Sequence, residues 1–276
     1  MTGFSRAAPL MRHAVLMGFA LIVLFPFLWI VMASFKTQIA LLMGQWRFQP
    51  TLFSYDSVIT GKTSDFITNF RNSGIIAVAS TLIVLAVATL AAFSLYRLQW
   101  ADWVLRLLLG WSVIFHMVPP ITLAGAWYTM FRAVGLDNTH LGLILAHTTI
   151  NLPMALWMMG VFIRDVPKEL VEAAVIDGAK APAVLRFVVI PIVRPGLAAT
   201  GILCFIFSWN EFPVALTLSQ RDTATVPLGI GKYAQENTIA FTEMAAASTL
   251  SIVPAFILLI VAQRFIVRGL TSGAVK

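Results

Sequence analysis

The stretch that decides the fold is RDVPKELVEAAVIDGAKAPAVLRFVVIPIVRPG, residues 164–196, a polar connection between two strongly apolar runs. It predicts a short helix after Pro167, since Pro is tolerated in the first helical turn. Gly178 predicts a tight turn, because Gly adopts left-handed conformations without steric cost. A second helix is predicted over 181–189, before Pro191. The pattern alone fits two interpretations: a docking element for another protein, or an amphipathic connector on a membrane surface.

Apolar runs on both sides of this stretch are long enough to cross a membrane. Of the 276 residues, 59% are hydrophobic and 11% charged, whereas a soluble domain carries about 25% charged residues. A span needs about 20 apolar residues, because the hydrocarbon core is about 30 Å thick. We therefore predict an all-α polytopic membrane protein with one transmembrane domain, residues 1–276. Its six spans are predicted at about 14–35, 74–96, 104–130, 141–163, 196–218 and 246–266.

Lys and Arg are concentrated in the connections on one side of these spans. If both termini are cytoplasmic, 12 of the 19 Lys and Arg residues lie in cytoplasmic segments and 7 in outer segments. Cytoplasmic loops of membrane proteins carry an excess of these residues. We therefore predict a multi-pass protein of the cell inner (plasma) membrane with both termini cytoplasmic, which makes 164–195 an internal segment. The net charge of +7 is then explained without nucleic-acid binding.

The run EAAVIDGA, followed by VVIP, resembles the cytoplasmic loop of ABC-transporter importer permeases. The pattern of that family is Glu-Ala-Ala, three residues, Gly, nine residues, Ile, one residue and Leu-Pro. The matching positions here are Glu172, Ala173, Ala174, Gly178, Val188, Ile190 and Pro191.

Other segments resemble the carbohydrate-uptake branch, in the manner of the smaller maltose-type permease subunit. They are NLPMALW at 151–157, IRDVPKEL at 163–170, SWNEFPVAL at 208–216, QRFIVRGLTSGAVK at 263–276, Asn72-Ser73 and GLDNTHLGLIL at 135–145. One departure lies in the third predicted span, where Ala124-Gly125-Ala126-Trp127 replaces an Ile-Pro-Leu-type segment.

The resemblance implies a type I ABC importer permease for a sugar or sugar-like solute, which is not an enzyme. Its implied partners are a second permease in a heterodimer, an ATPase dimer, an extracytoplasmic solute-binding protein and the lipid bilayer. ATP and Mg are used by the ATPase subunits, and this chain binds no cofactor. The coupling residues implied to dock in the ATPase are Glu172, Ala173, Ala174, Asp177 and Gly178, with Pro191 following them. Closure of the ATPase on ATP then drives alternating access.

Two other candidate sites are weak. Gly61-Lys62-Thr63 lacks the Gly that a phosphate-binding loop requires five residues earlier, where Asp56 stands. Of the four histidines, His140 and His147 are seven residues apart and could share a helix face, but neither has a nearby carboxylate or Cys to complete a metal site. Structural or pore-lining roles are therefore favoured for the histidines.

Polar residues inside predicted spans are candidates for a substrate pathway, because such groups are costly in lipid unless they face protein or water. These are Asn151 in the fourth span and Trp209, Asn210 and Glu211 in the fifth. An aromatic ring packs on the C–H face of a sugar, and amides and carboxylates bind its hydroxyls. The alternative for each is helix packing or interface anchoring.

Two other classes of protein remain as alternatives. An ATP-independent secondary transporter or channel predicts charged residues deep in several spans, and Glu211 is the only clear carboxylate there. A membrane-embedded enzyme predicts a catalytic cluster of side chains at one depth, and the sequence offers none.

Overall fold

The structure, a computed structural model, describes residues 7–62, 64–98, 100–234 and 239–272. Side chains are described over 11–62, 64–98, 100–234 and 239–261, so the side chains of the predicted C-terminal motif at 263–276 lie outside the described part. The described chain is helical, with an isolated β-bridge between Ala234 and Ile239, and the predicted all-α fold is confirmed.

Helices follow one another along the chain, with short connections in most places. They are α1 (Ala7–Ser34), α2 (Gln38–Leu42), α3 (Phe53–Thr60), α4 (Phe66–Arg97), α5 (Asp102–Met117), α6 (Pro120–Ala133), α7 (His140–Arg164), α8 (Lys168–Ile176), α9 (Ala181–Val184), a π-helical segment (Leu185–Val189), α10 (Ile190–Ile192), α11 (Arg194–Trp209), α12 (Pro213–Leu218), α13 (Val226–Gly231) and α14 (Phe241–Ser272).

Four helical segments in the described part are each long and apolar enough to cross a membrane. They are Met11–Ser34, Phe66–Arg97, His140–Arg164 and Phe241–Val261. Two bent pairs raise the number to six if each pair forms one span. In one, α5 and α6 meet at 96°; in the other, Ala181–Ile192 meets α11 at 79°.

Two predicted spans differ from the helices observed. The third, 104–130, is divided between α5 and α6, because Val118 and Pro119 are both extended. Each precedes a proline, which disfavours the helical conformation and lacks an N–H for the helical ladder. The fifth, 196–218, is divided in the same way: α11 ends at Trp209, and α12 begins at Pro213.

One compact unit comprises residues 1–66 and 230–253. In it the apolar side chains of α1 from Met11 onward are almost all exposed, which suits a helix surrounded by lipid or by another membrane subunit. Lys36 is only 1% exposed; its Nζ donates to the carbonyl of Gln45 (2.7 Å) and lies 4.8 Å from the centre of the Phe48 ring. A hydrogen bond and cation–π contacts thus compensate for burying this ammonium group.

The other unit comprises residues 67–229 and 254–276. Its main buried cluster joins α4, α7 and α11 to the connection between α7 and α11, and includes Val84, Ala88, Ala155, Met159, Ile163, Val189 and Cys204. Small residues permit this close packing. A Cβ at Gly160 would lie 2.8 Å from the ring of Tyr96, and one at Gly196 would lie 2.3 Å from the ring of Phe162.

Candidate functional site

The connection between α7 and α11 begins with a short helix that ends in a well-defined turn. The N–H of Gly178 bonds to the carbonyl of Val175 (3.0 Å), and the N–H of Ala179 bonds to the carbonyl of Ala174 (2.9 Å). These two bonds form a Schellman motif, which places a left-handed residue just after the helix. Gly178 supplies that conformation, with a φ of +84°. A side chain there would strain the backbone, although nothing lies within 4 Å of its Cβ position.

Helix α8 has one packed face and one exposed face. Val171 and Ala174 pack against the main buried cluster, whereas Glu172 and Ala173 are exposed. The exposed face also carries apolar side chains, and Ile176 is 85% exposed. Exposed apolar surface of this kind is typical of a contact with another protein.

The remaining predicted coupling residues lie in the middle of this connection and near its end. Asp177 is the C-cap residue of α8, and Pro191 lies in α10. Before Pro191, the N–H of Ile190 bonds to the carbonyl of Leu185, five residues back, in a π-helical turn. Pro191 has no N–H with which to continue an α-helical ladder, which accounts for the altered pattern.

Arg97, the last residue of α4, caps the end of α7. Its Nη2 donates to the carbonyl of Ile163 (2.6 Å), to that of Arg164 (3.4 Å) and to that of Val166. The last carbonyls of a helix lack partners within the helix and carry partial negative charge, so a guanidinium stabilises them. Arg97 therefore fixes the position from which α8 begins.

A cavity of about 330 Å³ lies between α5, α6, α7 and the end of α11. Much of its wall is apolar and includes the rings of Phe115, Phe207 and Phe212. The polar side chains in the wall are His116, His147, Asn151, Asn210 and Glu211. A mainly apolar cavity with a few polar groups is typical of a small-molecule site.

His147 is fully buried in the wall of this cavity. Its Nδ1 lies 2.7 Å from Ser208 Oγ, which lies 3.1 Å from Ser80 Oγ on α4. Nε2 has no hydrogen-bond partner and lies 3.6 Å from Glu211 Oε2. The contact at Nδ1 thus orients a ring whose second nitrogen is unsatisfied.

Glu211 is held in place by the main chain. Its Oε1 accepts from the N–H of Val214 (2.8 Å), and its Oε2 accepts from the N–H of Ala215 (3.0 Å). The first N–H groups of a helix have no partner within it, so the carboxylate caps α12. No Lys or Arg is among the described residues that line the cavity. The two main-chain N–H groups therefore stabilise the Glu211 carboxylate in place of a cationic side chain.

Three of the four residues predicted to line a pathway lie in the cavity wall: Asn151, Asn210 and Glu211. Trp209 does not. It is 4% exposed, and its ring packs 5.2 Å from that of Phe70 and 5.7 Å from that of Phe205. Each residue turns about 100° around a helix, so neighbours in sequence face different surroundings.

Sequence reasoning does not identify Ser208 as part of the site and does not separate His147 from the other histidines. The available signal for both is a polar side chain in an otherwise apolar span. His140, one of the other histidines, has a structural contact: its Nε2 lies 2.8 Å from Asn72 Oδ1. Asn72 Nδ2 in turn donates to the carbonyls of Asp222 (2.9 Å) and Ala224 (3.0 Å).

Among the described residues, no group of three or more His, Cys, Asp and Glu side chains could hold a metal ion. The cavity wall offers hydrogen bonds and an apolar surface to a solute, and α8 offers an exposed helical face to a partner.

The sequence matches the family described as "Binding-protein-dependent transport system inner membrane component" over residues 87–272. It is 34% identical to the trehalose/maltose transport system permease protein MalG of Thermococcus litoralis, over 93% of both chains. It is 34% identical to the trehalose transport system permease protein SugB of Mycobacterium tuberculosis, over 94% of this chain and 93% of the relative. A sulfoquinovosyl glycerol transport system permease protein, SmoH of Agrobacterium fabrum, is 32% identical over 92% of this chain and 89% of its own.

The fold is similar to that of a chain in the crystal structure of a bacterial ABC transporter involved in the import of the acidic polysaccharide alginate. The TM-score is 0.77 at 22% identity, covering 96% of this chain and 99% of that chain.

Proposed function

The chain belongs to the family of binding-protein-dependent transport system inner membrane components, and on that premise we propose what it carries and how it is driven. It is a multi-pass permease of the ABC importer class, and this family consists of transporters and not enzymes. We propose that its solute is a sugar or sugar-like compound. The names of the relatives support this, since they refer to trehalose, maltose and sulfoquinovosyl glycerol.

The proposed assembly contains a second permease as heterodimer partner, an ATPase dimer and an extracytoplasmic solute-binding protein. A similar solved structure is described as an alginate ABC transporter in complex with an alginate pentasaccharide-bound periplasmic protein, which supports the last of these. In this proposal residues 1–276 form one membrane domain with both termini cytoplasmic. ATP and Mg are bound by the ATPase subunits, and this chain holds no cofactor.

The coupling element in this proposal is α8 with the turn at Gly178. The observation that supports this role is that α8 has one packed face and one exposed face. The packed face, with Val171 and Ala174, connects α8 to the buried cluster shared by α4, α7 and α11. The exposed face, with Glu172 and Ala173, is available to the ATPase. A push on the exposed face is therefore passed to the spans through packed side chains, as alternating access requires.

The polar residues of the cavity complete the proposal. Asn151, Asn210 and Glu211 are proposed to line the substrate pathway, because they lie together in one cavity wall. Trp209 is proposed to stabilise this wall by packing against Phe70 and Phe205, outside the cavity lining.

The test is binding-protein-stimulated ATP hydrolysis and solute uptake by proteoliposomes that contain the complete transporter. Gly178→Trp should abolish both, because a bulky side chain at the turn blocks docking. Gly135→Trp is the matched control: Gly135 also has a positive φ, +70°, and open space around its Cβ position, but it precedes α7 and lies outside the connection that contains α8.

Loss of coupling in Gly178→Trp, with assembly retained and Gly135→Trp active, supports the proposal. Uptake that continues unchanged in Gly178→Trp would contradict it. Uptake without any ATPase subunit would instead favour the alternative, an ATP-independent secondary transporter or channel.

A further inference from the structure

The least satisfied polar group in the cavity wall is the Nε2 atom of His147. It is buried and has no hydrogen-bond partner, although the ring is held firmly at Nδ1 by Ser208. A buried polar group without a hydrogen-bond partner destabilises the fold. Such a group in the wall of a cavity indicates that a ligand supplies the missing bond.

The surroundings of Nε2 define what that ligand must offer. Glu211 Oε2 lies 3.6 Å away, too far for a hydrogen bond. A carboxylate oxygen can only accept, so the ring proton is best placed on Nε2, and Nδ1 then accepts from Ser208. The two facing atoms are thus one donor and one acceptor. A hydroxyl group satisfies both, because it accepts one hydrogen bond and donates another.

The charge of the cavity wall further restricts the class of ligand. No Lys or Arg lines the cavity among the described residues, and Glu211 contributes a carboxylate. A phosphate, sulfonate or carboxylate group has no proton to donate to Glu211 and would be repelled by it in a medium of low dielectric constant. The rings of Phe115, Phe207 and Phe212 provide apolar surface for the C–H face of a sugar ring.

We propose that this cavity is a binding subsite for a neutral polyhydroxylated solute, in which the Glu211 side chain shifts away from the buried Nε2 of His147 and one hydroxyl bridges Nε2 and Glu211 Oε2. This subsite rests on the proposed function, and it adds that this subunit selects neutral solutes over anionic ones. A volume of about 330 Å³ is at the lower end of the range for small-molecule sites, about 300–1,000 Å³. The subsite therefore holds a small solute or one end of a longer one.

The experiment measures the thermal unfolding midpoint of the purified transporter without its binding protein, titrated with trehalose, maltose and glycerol. Sulfoquinovosyl glycerol is the anionic probe. At least one neutral compound should raise the midpoint saturably, and the anionic probe should raise it less. His147→Gln should weaken the apparent affinity about tenfold or more, which corresponds to the loss of one good hydrogen bond. His140→Gln, on the same helix and outside the cavity, should leave it unchanged.

A second variant covers the case in which His147→Gln does not fold. Glu211→Gln keeps the size of the side chain and removes the charge, so the anionic probe should then stabilise the complex as well as the neutral compounds do. The proposal is overturned if no neutral compound raises the midpoint, if the anionic probe raises it more, or if both variants bind as the native chain does.

Failure of this inference is distinguishable from failure of the proposed function. Gly178→Trp should keep the rise in midpoint, because the cavity is intact, and should lose stimulated ATP hydrolysis. If ATP hydrolysis and uptake depend on Gly178 while His147 and Glu211 have no effect on sugar binding, the coupling proposal stands and the subsite is elsewhere.

Discussion

The guanidinium of Arg97, at the end of α4, donates to the main-chain carbonyl of Ile163, in the last turn of α7, at 2.6 Å. The same Nη2 also donates to Val166, just before α8 begins. Two membrane helices and the start of the proposed coupling element therefore meet at one side chain. If α8 moves relative to α4, either the Arg97 hydrogen bonds break or the Arg97 side chain moves together with α8.

Arg97→Ala should destabilise the chain and impair coupling. A hydrogen bond to a charged group contributes about 1.5–3 kcal/mol, so the thermal unfolding midpoint should fall. ATP hydrolysis should become less dependent on the binding protein, because α8 is no longer fixed to α4. Arg106→Ala, at an exposed position on α5, is the control. Equal stability of the two variants would show that the cap is unimportant.

Gly160→Ala should destabilise the packing of α7 against α4. A Cβ at position 160 would lie 2.8 Å from Tyr96 Cε2, and overpacking of this kind costs about 1–3 kcal/mol. Gly110→Ala is the matched control, because nothing lies within 4 Å of its Cβ position. There the gain in helix propensity should stabilise by about 0.5–1 kcal/mol. Denaturant unfolding in detergent measures both, and a smaller cost of Gly160→Ala in a Tyr96→Leu background would identify the contact.

Asn72→Leu should loosen the segment that follows α12. The Asn72 amide bonds to the carbonyls of Asp222 and Ala224, and leucine keeps the volume but not the bonds. Trypsin should then cleave after Arg221 faster than in the native chain. Asn210→Leu is the control, because the Asn210 amide bonds to a carbonyl within its own helix. Unchanged cleavage in Asn72→Leu would mean that other contacts hold the segment.

The proposed orientation can be measured with two cysteine variants. Gly135→Cys and Gly178→Cys replace residues with similar φ values, +70° and +84°, one before α7 and the other after α8. The native Cys204 is fully buried and should give little background. In intact cells a membrane-impermeant maleimide should label Gly135→Cys and not Gly178→Cys, with the reverse in inverted vesicles. Labelling of both from one side would contradict the predicted topology.

Local patterns in the sequence predict a large part of this structure. The long apolar runs predict the helices, and Gly178 predicts the turn after α8, because both depend on residues close together in the chain. The breaks at Val118–Pro119 and at 210–212 are harder to predict. A proline in an apolar run is compatible with either a kink or a full bend, and packing elsewhere in the fold decides between them.

The cavity is predicted only in part. Asn151, Asn210 and Glu211 are conspicuous as polar groups in apolar spans. The unsatisfied nitrogen of His147 depends on where Ser208 and Glu211 lie in space, and no spacing in the sequence reveals it. The burial of Trp209 behind the cavity wall is not predictable for a related reason: in a span that is apolar on all sides, periodicity does not indicate which face is buried in protein.

The π-helical turn at Leu185–Val189 has a consequence for how this chain can change in length over evolution. It is built with one residue more than an α-helical turn would use. Because the extra residue is taken up within that turn, deleting one residue there should leave an ordinary α-helical turn and keep the flanking segments in register. Natural single-residue deletions should therefore be tolerated at Leu185–Val189, whereas a deletion within α9, which has no extra residue to lose, should rotate the preceding segment by roughly 100° relative to α11.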